Sequence, residues 1–179
     1  MPALSDGTVA LREWRPDDAP ALEPMCGGAD WAPRWTSLPP EWSEAAARRW
    51  IGKLRRHRCA GTAVALAVTR AGEDVPVGNV NLVRFSDDGL SAALGYWLVP
   101  AARGAGLATA AARLLCRWGF EELGLERIEL LVEPENEPSR RVATRLGARP
   151  DGARAHPDHP AGPELRAYVV TPTELSVSR

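Results

Sequence analysis

The chain has 179 residues, enough for one domain with a sizeable core, and its 45% apolar and 25% charged residues are ordinary for a globular protein. A net charge of −1 and a pI near 6.3 exclude any general attraction to nucleic acid. No stretch approaches a membrane span, and Met1 to Asp6 has neither the basic start nor the apolar run of a signal peptide, so a cytoplasmic location is expected.

Thr8 to Glu13 reads as a first strand. Arg15 to Pro20 then supplies a turn and a helix start, with Asp17 or Asp18 as N-cap and Gly27-Gly28 as the stop. Asp30 to Glu41, with Trp31, Trp35 and three prolines, reads as a structured loop. Trp42 to Arg56 has Trp42, Ala46, Trp50 and Leu54 on one stripe and arginines opposite, the pattern of an amphipathic helix. Thr62 to Thr69, Pro76 to Phe85 and Ser91 to Val99 read as three strands of an antiparallel meander, joined by turns at Ala71 to Asp74 and Ser86 to Gly89. Pro100 ends the third.

Gly106 to Leu123 is the clearest helix, with Leu107, Ala111, Leu114, Leu115 and Trp118 at helical spacing and Gly124 closing it. Arg127 to Glu133 is a strand, Pro138 to Leu146 a short helix ending at Gly147, and Leu165 to Val170 a last strand after a Pro- and Gly-rich stretch. This order predicts one α/β domain of the α+β type over residues 1–179. Its sheet is mixed and mainly antiparallel, with one parallel pairing inside the βαβ unit around residues 91–133.

The chemistry concentrates in Arg103-Gly104-Ala105-Gly106-Leu107-Ala108, between a strand and the best helix. A helix start leaves unpaired N–H groups and a partial positive charge, and glycines let a phosphate approach the backbone. No Gly-Lys-Ser/Thr follows, so this is not a P-loop, and the glycine spacing is wrong for a dinucleotide fingerprint. Alone, the pattern fits a ligand-free tight turn as well as a diphosphate cradle.

Gly95 to Thr109 closely resembles the acyl-CoA-binding segment of the GNAT N-acetyltransferase superfamily, whose Gln/Arg-x-x-Gly-x-Gly/Ala signature is met by Arg103, Gly106 and Ala108. Asn136 to Gly147 resembles a second segment of that family, Asn-x-x-Ser followed by a helix ending Leu-Gly. Leu11 to Ala19 resembles the start of the branch that acetylates N-termini of ribosomal proteins.

The resemblance implies helices on both faces of the sheet and parallel strands that splay apart at the CoA slot. It implies acetyl-CoA as cosubstrate and an amine acceptor, either a protein N-terminus or a small molecule. Backbone amides from Arg103 through Gly104, Ala105, Gly106, Leu107 and Ala108 to Thr109 would hold the pyrophosphate. The strand edge at Trp97, Leu98 and Val99 would pair with the pantetheine arm. Asn136 matches a residue that contacts that arm, and it equally fits a helix N-cap. Arg103 and Arg140 are candidates for the nucleotide phosphates or are simply solvated arginines.

Direct attack by the amine needs no protein nucleophile, only a neutral amine, a polarised carbonyl and a proton for the thiolate. The family's usual tyrosine acid falls on Ala143, and the glutamate found in the related branch falls on Ala93. Ser139 matches the serine acid of that branch, is implied with Asn136 and Arg140 to bind the cofactor, and also suits the first turn of a helix. Glu13, Asp30, Glu41 and Glu133 remain as carboxylates for the base role. Ala148 stands where the family has an aromatic residue. These departures leave open an acyl-CoA-binding module with weak or no catalysis.

Seven tryptophans are many for this length. Trp31 and Trp35, with Trp42, fit the wall of an acceptor pocket, a core, or the interface of a homodimer. Cys26, Cys59 and Cys116 are not in metal-ligand spacing and read as reduced thiols, with Cys116 in the core. His57, His156 and His159 read as solvated, so no metal is expected. One lysine, Lys53, against 21 arginines reflects base composition rather than function.

Overall fold

The computed structural model describes residues 3–26, 42–156, 162 and 164–177. Eight strands form one sheet: β1 (Leu4–Ser5), β2 (Val9–Glu13), β3 (Ala63–Arg70), β4 (Pro76–Val83), β5 (Ser91–Leu98), β6 (Arg127–Val132), β7 (Arg149–Arg154) and β8 (Leu165–Val170). Their spatial order is β1-β2-β3-β4-β5-β6-β8-β7. Every pairing is antiparallel except β5 with β6. The described helices are α1 (Ala19–Cys26), α2 (Glu44–Cys59), α3 (Leu107–Glu122), α4 (Glu137–Arg145) and α5 (Pro172–Val177).

Strand alternation splits the sheet into two apolar faces. Leu11, Leu66, Val80, Leu82, Leu94 and Ile128 pack against Leu107, Ala111, Leu115 and Cys116 of α3 and Val142 and Leu146 of α4. On the opposite face, Trp14, Ala67 and Trp97 pack against Leu22 of α1 and Ala47 and Ile51 of α2. Helices therefore cover both faces, as the family resemblance implies. Cys116 is fully buried in the first core, and burial pushes its thiol up to about 12.

Several boundaries move for identifiable reasons. Ser43 caps α2, its side chain accepting from the Ala46 N–H, so Trp42 precedes the helix rather than starting its stripe. Asp18 is not an N-cap: it ends a 3-10 turn, Pro16–Asp18. Its carboxylate takes the Arg15 N–H at 2.7 Å and both terminal nitrogens of Arg12 at 2.8 Å. Arg12 also reaches Asp74 at 2.8 Å, which ties the α1 start to β2 and the β3–β4 turn. The bond to Asp18 raises the Arg12 guanidinium above its ordinary range, against the opposing effect of burial. The Pro- and Gly-rich stretch after Ala148 contains β7, and β1 and α5 are additional to the predicted elements. The predicted stop at Gly27-Gly28 and the loop from Asp30 to Glu41 lie outside the described residues.

Gly78 sets the close approach of β4 to β5, because a methyl group there would sit on the Trp97 carbonyl oxygen and on Leu98 Cδ2. Backbone cannot yield as a flexible side chain can. Gly78→Ala is expected to destabilise the fold by about 2–3 kcal/mol in urea denaturation. A loss below about 0.5 kcal/mol would contradict this reading of the β4–β5 contact.

Candidate functional site

β5 and β6 are parallel neighbours for only three register positions, Ser91↔Arg127, Ala92↔Ile128 and Ala93↔Glu129. Beyond them β5 stays with β4 as far as Leu98, while β6 stays with β8 from Leu130 to Val132. A fork therefore opens in the sheet after Ala93 and Glu129.

The edge of β5 that faces the fork follows from hydrogen bonds. The Val99 N–H donates to Val77 O at 3.0 Å, and Trp97 O lies against Gly78, so both turn their peptide groups toward β4. By alternation Tyr96 and Leu98 turn theirs into the fork. Of the stretch Trp97, Leu98 and Val99, only Leu98 thus presents backbone there. Its carbonyl already accepts Arg103 Nε at 3.0 Å. The Trp97 side chain is buried among Trp14 and Trp50.

A 3-10 turn, Pro100–Ala102, ends β5 and leads into Arg103 to Gly106. Gly104 and Gly106 have φ of +82° and +79°, in the left-handed region that disfavours other residues. Nothing lies within 4 Å of where a Cβ would stand on either, so the loop is open on that side. Gly106 is the N-cap of α3 and offers no side-chain cap. The first bond of the helix runs from Ala110 N to Gly106 O, which leaves the N–H groups of Leu107, Ala108 and Thr109 without intrahelical acceptors. Buried Leu107 anchors this start in the core.

Across the fork, α4 begins at its N-cap Asn136, whose Oδ1 accepts the Ser139 N–H at 3.2 Å. Asn136 therefore caps α4 through its carboxamide oxygen, and its carboxamide N–H groups take no part in the cap. Ser139 is half-buried in the first turn. Ala143 lies one turn further on the same helix face and is fully buried. Arg140 Nε is buried without a hydrogen-bond partner among the described residues.

Tyr96 reaches over to this turn, its hydroxyl 3.5 Å from Ser139 O. That is long for an O–H···O bond, so packing rather than hydrogen bonding places the ring. Burial pushes the phenol up to about 12, which keeps it neutral at ordinary pH.

Of the carboxylates expected for the base role, Glu13 on β2 is engaged elsewhere, while Glu133 sits between β6 and α4 at the fork. Glu13 is paired with Arg58 at 2.8 Å. Glu133 is half-buried ahead of α4, its backbone carbonyl accepting the Asn136 N–H. Asp30 and Glu41 lie outside the described residues, as do Trp31 and Trp35. Trp42 belongs to the aromatic core, 5.8 Å from Trp50. Among the described residues no cluster of His, Cys, Asp and Glu could hold a metal ion, and no helix is long and apolar enough to cross a membrane. His57 Nδ1 is bonded to Thr62 Oγ1 at 2.9 Å.

Sequence reasoning missed Asn81. It stands on β4 opposite Gly95, with Oδ1 shielded from solvent and unbonded among the described residues. The signal that could have found it is Asn79 and Asn81 at period two in an otherwise apolar strand.

Comparison with known proteins agrees with this geometry. A family model described as the acetyltransferase (GNAT) domain matches residues 8–149. YdaF of Bacillus subtilis, named as a candidate ribosomal N-acetyltransferase, is 36% identical over 75 residues, which are 42% of this chain and 41% of YdaF. That match thus spans less than half of the relative. The uncharacterized N-acetyltransferase p20 of Bacillus licheniformis is 26% identical over 152 residues, 85% of each chain. The solved structure of Mycobacterium smegmatis RimJ in complex with CoA-disulfide is 27% identical and covers 97% of this chain and 88% of its own, with a TM-score of 0.78. The family match over most of the sequence, together with the forked sheet and the glycine loop before α3, places this chain in the acetyltransferase (GNAT) domain family.

Proposed function

We propose that this chain, acting as a single domain over residues 1–179, transfers an acetyl group from acetyl-CoA to a primary amine. The acceptor is a protein N-terminus or a small-molecule amine. The observation that carries the proposal is the fork between β5 and β6 with the start of α3 at its mouth. RimJ, a relative along the whole chain, was solved with CoA-disulfide, and YdaF is named for ribosomal N-acetylation. The same reading puts the protein in the cytoplasm, where acetyl-CoA is at hand.

The residues present fit such a cosubstrate. Of the amide run from Arg103 to Thr109, the Arg103 N–H is taken by Pro100 O at 3.2 Å, whereas the N–H groups of Leu107 to Thr109, behind the open glycine loop, suit a diphosphate. The Leu98 N–H and the peptide groups of Tyr96 line the fork as a strand edge to which an extended amide-bearing arm can add. Asn136 keeps its amide N–H groups for that arm, and Arg140 brings a buried, unpartnered N–H. Arg103 is occupied by the Leu98 carbonyl and acts by charge at longer range.

In the reaction the amine nitrogen bonds to the acyl carbon and the carbon–sulfur bond breaks. The amine gives up one proton, and the departing sulfur takes one. Ser139, half-buried in the first turn of α4, is the residue proposed to supply the latter. Holding both reactants in the fork supplies much of the rate, since orientation alone can be worth several powers of ten.

A second reading, an acyl-CoA-binding module with weak catalysis, draws on Ala143 and Ala93. Both are buried alanines, so neither a phenol nor a carboxylate reaches the fork from these positions. Thiol release separates the two. With acetyl-CoA and a panel of primary amines, the proposal expects amine-dependent CoA production, and binding without release would support the module instead.

CoA at about 100 times its dissociation constant should stabilise the fold by about 2.7 kcal/mol, seen as a raised Tm. No rise at all would reject both readings. Ser139→Ala should keep that shift while lowering kcat by about a hundredfold. An unchanged kcat would remove Ser139 from the proton transfer.

A further inference from the structure

Asn79 and Asn81 project from the same face of β4, the face that carries Trp14 and Trp97. Asn79 is explained by its surroundings: it is 2% exposed, and its Oδ1 accepts Trp14 Nε1 at 2.9 Å. Asn81 has no such explanation. Its Oδ1 is shielded from solvent and has no hydrogen-bond partner among the described residues. Buried polar atoms in native proteins are nearly always bonded, and an exception calls for a partner such as water, an ion or a ligand.

The Asn81 amide lies over Gly95, its register partner on β5. A Cβ on Gly95 would come within 2.5 Å of Asn81 Oδ1 and 3.6 Å of Nδ2, so the amide lies on bare backbone. Gly95 is not among the glycines with positive φ, and its backbone therefore does not require glycine. What the missing side chain provides is room. Two residues earlier, Ala93 is the last β5 residue paired with β6. The Asn81 carbonyl oxygen is thus held where the fork begins, on the sheet face opposite α3 and α4.

We propose that Asn81 is a substrate-binding residue whose carbonyl oxygen accepts a hydrogen bond from the acceptor amine. This rests on the acetyl-transfer reading above and names the group that holds its second substrate. A primary amine has two N–H bonds and one lone pair. Spending one N–H on a fixed acceptor leaves the lone pair free to face the fork and the other N–H to lose its proton. A neutral amide oxygen suits this better than a carboxylate, because a carboxylate favours the charged ammonium, which has no lone pair to attack with. The site therefore selects nucleophiles that carry an N–H to spare.

The test compares wild type with Asn81→Leu, Asn81→Asp and Gly95→Ala. Each is assayed with acetyl-CoA and two probes, benzylamine and a hexapeptide with a free N-terminal alanine. CoA binding is measured separately by titration calorimetry, which also verifies that each variant folds. Asn81→Leu removes the acceptor, and Gly95→Ala pushes it aside without altering it. Both should raise KM for the amine about tenfold, with the Kd for CoA unchanged. Asn81→Asp keeps an oxygen in place and should hold the amine KM within about threefold of wild type while lowering kcat, because the carboxylate favours the ammonium form.

An amine KM unchanged in both Asn81→Leu and Gly95→Ala would overturn the assignment, as would an equal loss of CoA binding, the mark of a structural role. A rise in amine KM in Asn81→Asp as large as in Asn81→Leu would also overturn it, since the group would then be acting as a donor. If wild type releases no CoA with either probe, the acetyl-transfer reading fails and Asn81's role fails with it. Wild-type turnover with indifferent variants rejects Asn81 alone.

Discussion

The parallel contact between β5 and β6 lasts three register positions and then stops, and the site depends on that stop. A sheet interior normally satisfies its backbone groups by continuing the ladder. Here each strand is held by its other neighbour. β5 stays in register with β4 from Ala93 to Leu98, drawn close by Gly78. β6 stays in register with β8 from Ile128 to Val132. The peptide groups of Tyr96 and the N–H of Leu98 are left facing a gap, the Leu98 carbonyl being taken by Arg103. Such groups are costly to bury alone, and that cost is what an added strand-like ligand would remove.

The two cores make the fork a fixed feature rather than a loose seam. Below it, α3 and α4 are set by Leu107, Leu115, Val142 and Leu146 against the sheet. Above it, tryptophans 14, 42, 50 and 97 pack at centroid separations of 5.1–6.4 Å. Aromatic packing of this kind adds specificity to area burial and keeps the sheet face in place. The fork thus opens to both faces, with Ser139 and Asn136 on the α4 side and Asn81 on the tryptophan side. One reactant can be held from each side of the sheet.

Much of this was legible in the sequence. The helix after Gly106 was visible because its apolar residues repeat at helical spacing over four turns. β5 was visible because Pro100 follows it and its eight residues carry no charge. The single parallel pairing followed from the βαβ order. β7 was not legible. It is an edge strand, five of its six residues are exposed, and it contains Pro150 and Gly152, so alternation never develops. Two-residue β1 and six-residue α5 are too short to show a period. The tryptophans were countable, but their division between core and pocket depends on which face each strand presents. The wall formed by Trp14, Trp50 and Trp97 draws on three distant segments. Asn81 was hidden for a related reason: a strand asparagine becomes informative only when its cross-strand partner is known to be glycine.

In the proposed reaction the open edge of β5 and the start of α3 receive the CoA portion of the substrate. Amide hydrogen exchange with and without CoA reads those groups directly. CoA is expected to slow exchange at Tyr96 and Leu98 and at Gly104 to Thr109, with little change on β2 and β3. Unchanged exchange at these amides under saturating CoA, or protection confined to another part of the sheet, would contradict it.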